Sequence, residues 1–225
     1  MDNVVEAIKE FFFDIIGFLV PGILMLIIGK VIFDLSINLE ESNLMINFVV
    51  AYILGYLIFA LSLIKEIWLK KIAKWTWMPK KLASLSEDQI LNELSQRDTF
   101  KLASEIIRKN TAEENLSLSN YKSFRNVAMS GSPEADKKVY TFMFRAELFN
   151  QLHTISVIIL FLLLLNYVAL LFPQMNNLSI NNINFGWFIL SIISVLALRK
   201  GWKRFYEISM NIPFALYIEK NKKST

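Results

Sequence analysis

The chain has 225 residues, of which 54% are hydrophobic and 20% are charged, and its formal net charge is +4. Its mean hydropathy of +0.41 excludes an ordinary soluble domain, because a fold of this size could not hide that much hydrocarbon from water. The absence of Cys and the single His exclude disulfides, thiolate nucleophiles and multi-His or Cys-containing metal centres. These numbers predict a polytopic membrane protein with no cofactor and no metal.

Four apolar stretches approach the roughly 20 residues that a helix needs to cross a bilayer. These stretches cover residues 11–33, 44–64, 152–172 and 183–198. The first contains Asp14 and Lys30, and the other three are uncharged. The sequence therefore predicts an all-α membrane protein with four transmembrane helices. A cytoplasmic helical domain is expected between the second helix and the third.

The lysines and arginines set the predicted orientation. The two short connections, 34–43 and 173–182, contain neither residue type, and every basic residue except Lys30 lies in the N-terminal tail, the middle segment or the C-terminal tail. The positive-inside rule then predicts a multi-pass protein of the inner membrane with both termini in the cytoplasm. The acidic flank of the first stretch, with no small-residue cleavage pattern after it, favours a retained span over a secretory signal.

This layout divides the chain into four predicted segments. They are a transmembrane hairpin (1–67), a cytoplasmic helical domain (68–151), a second transmembrane hairpin (152–200) and a basic-aromatic interfacial tail (201–225). In the middle domain, Ser86 with Gln89 is a capping-box pattern that predicts a helix to about Gln96, and Asp98 begins a second helix. The tail is expected to fold back along the membrane surface as a helix.

The third span is predicted to extend well beyond the bilayer. No helix-breaking residue occurs between Pro133 and Pro173, so one continuous helix is expected. Its part before the membrane carries an apolar stripe: Val139, Phe142, Met143, Ala146 and Phe149. That stripe needs a partner, which is either the preceding segment or another subunit.

Lysines and tryptophans are interleaved directly after the second span, between Lys65 and Lys81. One interpretation is an interfacial helix on anionic lipid, and the alternative is a strip that binds RNA or DNA. We favour membrane lipid as the partner and expect no direct contact with nucleic acid.

The first span contains the candidate pore or gating residues Asp14, Gly17, Pro21 and Gly22. A carboxylate at the centre of a membrane helix costs roughly 2.5–3.5 kcal/mol, which points to a pore lining, a proton relay or an intersubunit pair. The alternative is that the membrane begins at about Ile15 and that Asp14 only caps the helix. Pro21 and the glycines predict a kinked helix, which serves either as a gate or for close packing.

Two pairs of small residues, Ala51 with Gly55 and Ala197 with Gly201, lie four positions apart. This spacing is typical of helix packing in membranes, within or between subunits, and together with the apolar stripe it predicts a homo-oligomer.

Charged and titratable residues of the cytoplasmic part give weaker predictions. Arg125 and Arg145 lie on the two apolar helical segments of the cytoplasmic part. One interpretation is that they form buried or intersubunit ion pairs. The alternative is that they bind a cytoplasmic partner or an anionic signal molecule. The lone His153 is interpreted as an interfacial or capping residue, with a pH switch as the alternative. Arg145 and His153 have seven residues between them, one more than the Arg–His motif of two-helix nucleotide-binding RNases permits.

The run Asp14-Ile-Ile-Gly17-Phe-Leu-Val-Pro21-Gly22, the four-span layout and the helices that carry Arg125 and Arg145 resemble small membrane proteins encoded beside prokaryotic antiviral systems. Among these the sequence resembles the membrane accessory of type VI-B CRISPR loci, whose effector is an RNA-guided RNase. The resemblance implies an accessory that modulates defence or perturbs the membrane, and it carries no catalytic residues.

The predicted function is accordingly that of a non-enzymatic membrane effector or accessory in antiviral defence. It would oligomerise in the inner membrane and either form a pore or modulate a cytoplasmic nuclease partner. The alternative is a small-ion channel or transporter subunit unrelated to defence, which rests on Asp14 and Pro21. An enzyme is not expected, because the spans offer no paired polar groups at membrane depth beyond Asp14, Asn47, Asn166 and scattered hydroxyls.

Overall fold

The computed structural model describes residues 2–33, 43–72, 86–111, 121–132, 134–171 and 185–222. Over these ranges the chain forms α-helices and no strand, so the all-α prediction is confirmed. Several predictions fall outside the described residues: both short polar connections, most of the lysine–tryptophan stretch after the second span, and the side chain of Asp14.

Seven helices make up the described part of the chain. They are α1 (Asp2–Phe33), α2 (Leu44–Ile72), α3 (Glu87–Ser95), α4 (Asp98–Thr111), α5 (Tyr121–Ser130), α6 (Glu134–Leu171) and α7 (Phe185–Lys222). Three of these helices, α2, α6 and α7, are long and apolar enough to cross a membrane, and α1 adds a shorter apolar stretch, Ile15–Val31. The protein is therefore a helical membrane protein, in which the exposed apolar side chains of the spans face a solvent of lipid.

The helix boundaries follow the signals in the sequence. Helix α3 ends at Ser95 and α4 begins at Asp98, as predicted. The capping box is not formed, because Ser86 stands at the N-cap position of α3 without a side-chain hydrogen bond to the helix. Helix α6 is continuous from Glu134 to Leu171, which confirms the long helix expected between the two prolines.

The C-terminal tail differs from its prediction as a helix that folds back. Residues 201–222 continue α7 without a break, and Pro213 lies inside the helix. The aromatic side chains of Trp202, Tyr206, Phe214 and Tyr217 are buried. Protein rather than the membrane surface therefore covers the apolar stripe of the tail.

The chain divides into two compact units. The first unit comprises Met1–Lys65 and Glu147–Arg199, and the second comprises Glu66–Ala146 and Lys200–Thr225. The first unit has an apolar core in which Ile58 of α2 meets Ile155, Ile159 and Leu163 of α6, with partly buried side chains from α1 and α7 packed against it. These branched and bulky side chains fill the centre of the helix bundle.

The second unit is built around Phe100 of α4, which is completely buried. Its ring stacks on Tyr121 at 4.8 Å between centroids and meets Phe124 and Phe214 edge-on at 5.7 and 5.3 Å. The hydroxyl of Tyr121 donates a hydrogen bond of 3.2 Å to the carbonyl oxygen of Met210. This aromatic cluster joins α4, α5 and α7, so the C-terminal tail is part of the core of the second unit.

The apolar stripe of α6 finds its partner within the same chain. Phe142 lies 6.3 Å from Phe205 between ring centroids, and the Ser209 hydroxyl lies 2.9 Å from the Met143 sulfur. Both partners are on α7, which the sequence prediction had not considered. The covered part of this stripe is thus no longer an argument for self-association.

Candidate functional site

Helices α1 and α2 touch backbone to backbone at three of the small residues singled out in the sequence. A Cβ atom added to Gly22 would overlap the carbonyl oxygen of Ala51, and one added to Gly55 would overlap the carbonyl oxygen of Phe18. Each helix thus contributes one glycine to the other's contact, and only glycine permits this approach.

The remaining gating candidates lie on the same helix as Gly22. Gly17 and Pro21 are buried, and α1 stays helical through Pro21. Beside the crossing, the Phe18 ring stacks on Tyr56 at 4.5 Å and meets Phe59 edge-on at 5.6 Å between centroids. The segment around Pro21 is thus a close packing contact in the first unit, and the gating role of Gly17, Pro21 and Gly22 stays a prediction.

A cluster of buried polar side chains in the first unit, which we call the Lys65 cluster, provides a better candidate. The Lys65 ammonium lies 2.7 Å from Asn150 Oδ1, 2.8 Å from His153 Nδ1 and 2.9 Å from Thr154 Oγ1, and it also donates to the Asn150 carbonyl oxygen at 3.2 Å. Positions 153 and 154 come three and four residues after position 150, which is one helical turn, so the three side chains share one face of α6. Asn150, His153 and Thr154 are all at most 5% exposed.

A second polar contact joins the same two helices one turn away. The Ser62 hydroxyl lies 3.2 Å from Glu147 Oε1 and 2.8 Å from the carbonyl oxygen of Phe59. Arg199 of α7 is buried and interacts electrostatically with His153. Together with these two neighbours, Glu147 and Arg199, the Lys65 cluster brings two cations, a carboxylate and an imidazole into the unit that contains the apolar core.

The geometry fixes the hydrogen-bonding roles. An ammonium group only donates, so His153 Nδ1 accepts from Lys65 and the neutral ring carries its proton on Nε2. Lys65 reaches four acceptors from α6, more than its three N–H groups can satisfy at one time, so the cation can exchange partners without leaving the cluster. Such an arrangement fastens α2 to α6 and can be released by neutralising or moving one side chain.

Sequence reasoning placed His153 at the edge of the third span but missed Lys65 as its partner. The available signal was that Lys65 directly follows the apolar run of α2, while Asn150, His153 and Thr154 recur at helical spacing where the apolar run of α6 begins. Nothing in the sequence pairs positions 85 to 89 residues apart, because periodicity reports a face and not its neighbour.

The two arginines predicted to interact in the cytoplasmic domain have different surroundings. Arg125 is half-buried on α5, and its Nε atom has no hydrogen-bond partner among the described residues. Burial lowers the pKa of this guanidinium, and the nearby Tyr206, Tyr121 and Asp136 partly oppose the shift. Arg125 nevertheless stays charged, because an arginine is not deprotonated in proteins.

Arg145 is exposed, and its guanidinium carbon lies over two aromatic rings, 5.5 Å from the centroid of Phe142 and 5.9 Å from that of Phe205. This cation–π contact supports the packing of α6 on α7 within the second unit. Neither Arg125 nor Arg145 takes part in the salt bridges within the described part of the chain, and their predicted intersubunit pairs and partner binding stay predictions.

Glu87 connects three helices of the second unit. Its carboxylate accepts from Lys70 at 2.7 Å, from the Tyr206 hydroxyl at 2.8 Å and from Lys122 at 2.9 Å. Burial alone would raise the pKa of Glu87, but these hydrogen bonds outweigh burial and lower the pKa from 4.5 to about 2. The carboxylate therefore ties α2, α5 and α7 to the first turn of α3, where a negative charge also complements the helix dipole.

Of the second pair of small residues, Ala197 is exposed on α7 and Gly201 is half-buried. Among the described residues, no group of three or more His, Asp or Glu side chains is arranged to hold a metal ion. No protein-family model, curated protein or solved structure matches this chain.

Proposed function

We propose that this protein is a non-enzymatic membrane effector or accessory of prokaryotic antiviral defence, which assembles in the inner membrane and conducts ions when it is activated. The defence role rests on the resemblance of the Asp14–Gly22 run and of the four-span layout. The orientation, with both termini in the cytoplasm, rests on the distribution of lysine and arginine.

The Lys65 cluster is the observation that carries the ion-conducting role. Ionisable groups inside helical membrane bundles are costly, and in general they mark ion or proton pathways. An inert anchor could join α2 and α6 through apolar side chains alone, as the two helices already do at Ile58 and Ile155. A cation surrounded by exchangeable acceptors instead supplies a fastening that an activating signal can open.

The packing of the first unit supports the proposal that several copies assemble. Among the described residues its centre is filled by Ile58, Ile155, Ile159 and Leu163, and close-packed apolar side chains disfavour an ion path through the interior of one copy. We therefore place the pore between copies, and the Lys65 cluster inside each copy acts as the fastening that controls opening rather than as the lining of the pore. The exposed small residue Ala197 is where another helix can approach closely.

The test compares ion flux through vesicles that contain the full chain, using potassium release as the measurement. Lys65→Met removes the cation and keeps an unbranched side chain, and Lys71→Met makes the same change at an exposed lysine of the same helix. Each hydrogen bond to a charged group contributes about 1.5–3 kcal/mol, so loss of the fastening should raise basal flux by about tenfold or more. The Lys71 variant should behave like the wild-type protein.

Equal flux through empty vesicles, the wild-type protein and the Lys65 variant would exclude the pore. Asp14→Asn supplies a second arm in bacterial cells challenged with phage. Loss of both leakage and protection supports a pore lined by the first span. Retention of protection without leakage would instead favour modulation of a cytoplasmic nuclease, and leakage that never affects protection would favour an ion channel unrelated to defence.

A further inference from the structure

A groove of about 530 Å³ lies within the second unit, along one face of α7. Its wall follows positions 200 to 215 at spacings of three and four residues, and Arg97, in the turn between α3 and α4, faces this stripe. A volume of this size falls in the range of sites for small organic ligands.

One end of the groove is strongly basic. It contains four cations, Arg97, Lys200, Lys203 and Arg204, against the single carboxylate of Glu207. The carboxylate holds two of them, with Arg97 at 2.6 Å and Lys203 at 3.7 Å, and Lys203 also pairs with Glu93 at 3.0 Å.

Lys200 and Arg204 are exposed, and neither makes an ion pair within the part of the chain that the structure describes. Like charges four positions apart on a helix repel each other. An anion bound at both side chains would remove this repulsion and gain charge-assisted hydrogen bonds, and a phosphate group matches the donor geometry of Arg204.

The other end of the groove has a different character. Ile208, Ile212 and Ala215 form an apolar wall, and Asn211 lies among them. The Oδ1 atom of Asn211 is buried and has no hydrogen-bond partner among the described residues. A buried acceptor without a partner is costly. Because Asn211 as a whole is only half-buried, rotation of its side-chain amide would bring Oδ1 into the groove, where a ligand with an N–H or O–H donor would satisfy it.

Position along α7 argues against a phospholipid as the occupant. Within the second unit, Asn211 lies eleven positions after Lys200 on the same helix, which is about 16 Å along the helix axis. The headgroup layer on each side of a bilayer is only about 5–8 Å thick. The groove is therefore longer than the headgroup layer is thick, and one lipid headgroup cannot occupy both the basic end and Asn211.

We propose that this groove binds a soluble nucleotide, with its phosphate on Lys200 and Arg204 and its base or sugar on Asn211 and the apolar wall. The assignment is independent of ion conduction by the first unit, because every lining residue belongs to the second. It adds a binding site for a small phosphate ester to a protein in which sequence reasoning had looked for such a ligand only at Arg125 and Arg145.

The test uses the full chain in nanodiscs of neutral phosphatidylcholine, dialysed to equilibrium against the common ribonucleoside mono- and triphosphates and cyclic nucleotides. At least one of these should bind, and the double variant Lys200→Gln/Arg204→Gln should weaken its binding by about tenfold or more. A matched control, Lys101→Gln/Lys138→Gln, removes two exposed cations outside the groove and should leave the affinity unchanged.

Asn211→Leu separates nucleotide recognition from simple charge. It should weaken binding of the nucleotide several-fold while leaving competition by inorganic pyrophosphate unchanged, because pyrophosphate reaches only the basic end. The proposal is overturned if no nucleotide binds at millimolar concentration, or if the groove and control variants bind equally well. Binding that appears only with nanodiscs containing anionic lipid would also overturn it, since the site would then be a lipid contact.

Discussion

Replacing Glu87 by Gln should destabilise the second unit while leaving its shape unchanged. The substitution keeps the size of the side chain and removes the negative charge of the carboxylate, which accepts hydrogen bonds from Lys70, Lys122 and Tyr206. Folding lowers the pKa of Glu87 from 4.5 to about 2, and each pKa unit corresponds to 1.36 kcal/mol. The ionised carboxylate therefore contributes about 3 kcal/mol at neutral pH, and its side chain is only 22% exposed, so solvent screening takes away little.

The sign of the pH dependence follows from the lowered pKa. A carboxyl whose pKa falls on folding stabilises the folded state above its ordinary pKa and loses that contribution as the pH falls towards the folded value. The difference in free energy of unfolding between the wild-type protein and the Glu87 variant should thus be about 3 kcal/mol at pH 7. It should fall to about 1 kcal/mol at pH 3 and vanish below pH 2.

Hydrogen exchange followed by mass spectrometry measures this locally, in peptides from α3, α4 and α5, after correction for the intrinsic exchange rate at each pH. At pH 7 the variant should exchange about a hundredfold faster than the wild-type protein. Glu105→Gln, at an exposed position of α4, is the control and should change little. Equal exchange in both variants at pH 7, or a difference that grows towards low pH, would refute this account of Glu87.

Two further substitutions test the packing of each unit. Gly22→Ala should force α1 away from the Ala51 carbonyl and lower the melting temperature of the detergent-solubilised protein. Ala197→Val, on an exposed face, is the control and should leave the melting temperature unchanged. Equal melting temperatures for the two variants would contradict the close crossing of α1 and α2. Phe100→Ala should lower the free energy of unfolding of the second unit by about 3–5 kcal/mol in urea titrations. Leu102→Ala, at a side chain that is 41% exposed, should lower it far less. Similar losses of stability in both variants would show that Phe100 is not at the centre of the core.

The helices themselves could be predicted because their signals are local. Helix α2 begins at Leu44, where the uncharged run begins, and α6 lies between the only two prolines of its region. The start of α4 at Asp98 likewise follows from an acidic residue before an apolar-periodic stretch. Burial of an apolar run and the steric effect of proline act within a few residues, so the sequence alone determines these boundaries.

The fate of an apolar face could not be predicted in the same way. In the C-terminal tail, large apolar side chains recur every three or four residues: Trp202, Tyr206, Met210, Phe214 and Tyr217. Because basic residues lie beside this stripe, a membrane surface was its expected partner. Contact with lipid and contact with a protein core both stabilise the same apolar helix face, because both remove hydrocarbon from water. The choice depended on α4 and α5 being close to α7, which is a property of the tertiary structure.

The same limit applies to the small residues, and it bears on assembly. Ala51 with Gly55 and Ala197 with Gly201 have identical spacing, yet Gly55 is used up in the contact with α1 while Ala197 stays exposed. Of these two pairs, the first is therefore already covered inside the first unit, and the second contributes the exposed residue Ala197. Under the proposed function, the face around Ala197 carries assembly, because the described centre of one bundle is packed with apolar side chains. A bulky residue at this position should then abolish ion flux without unfolding the protein.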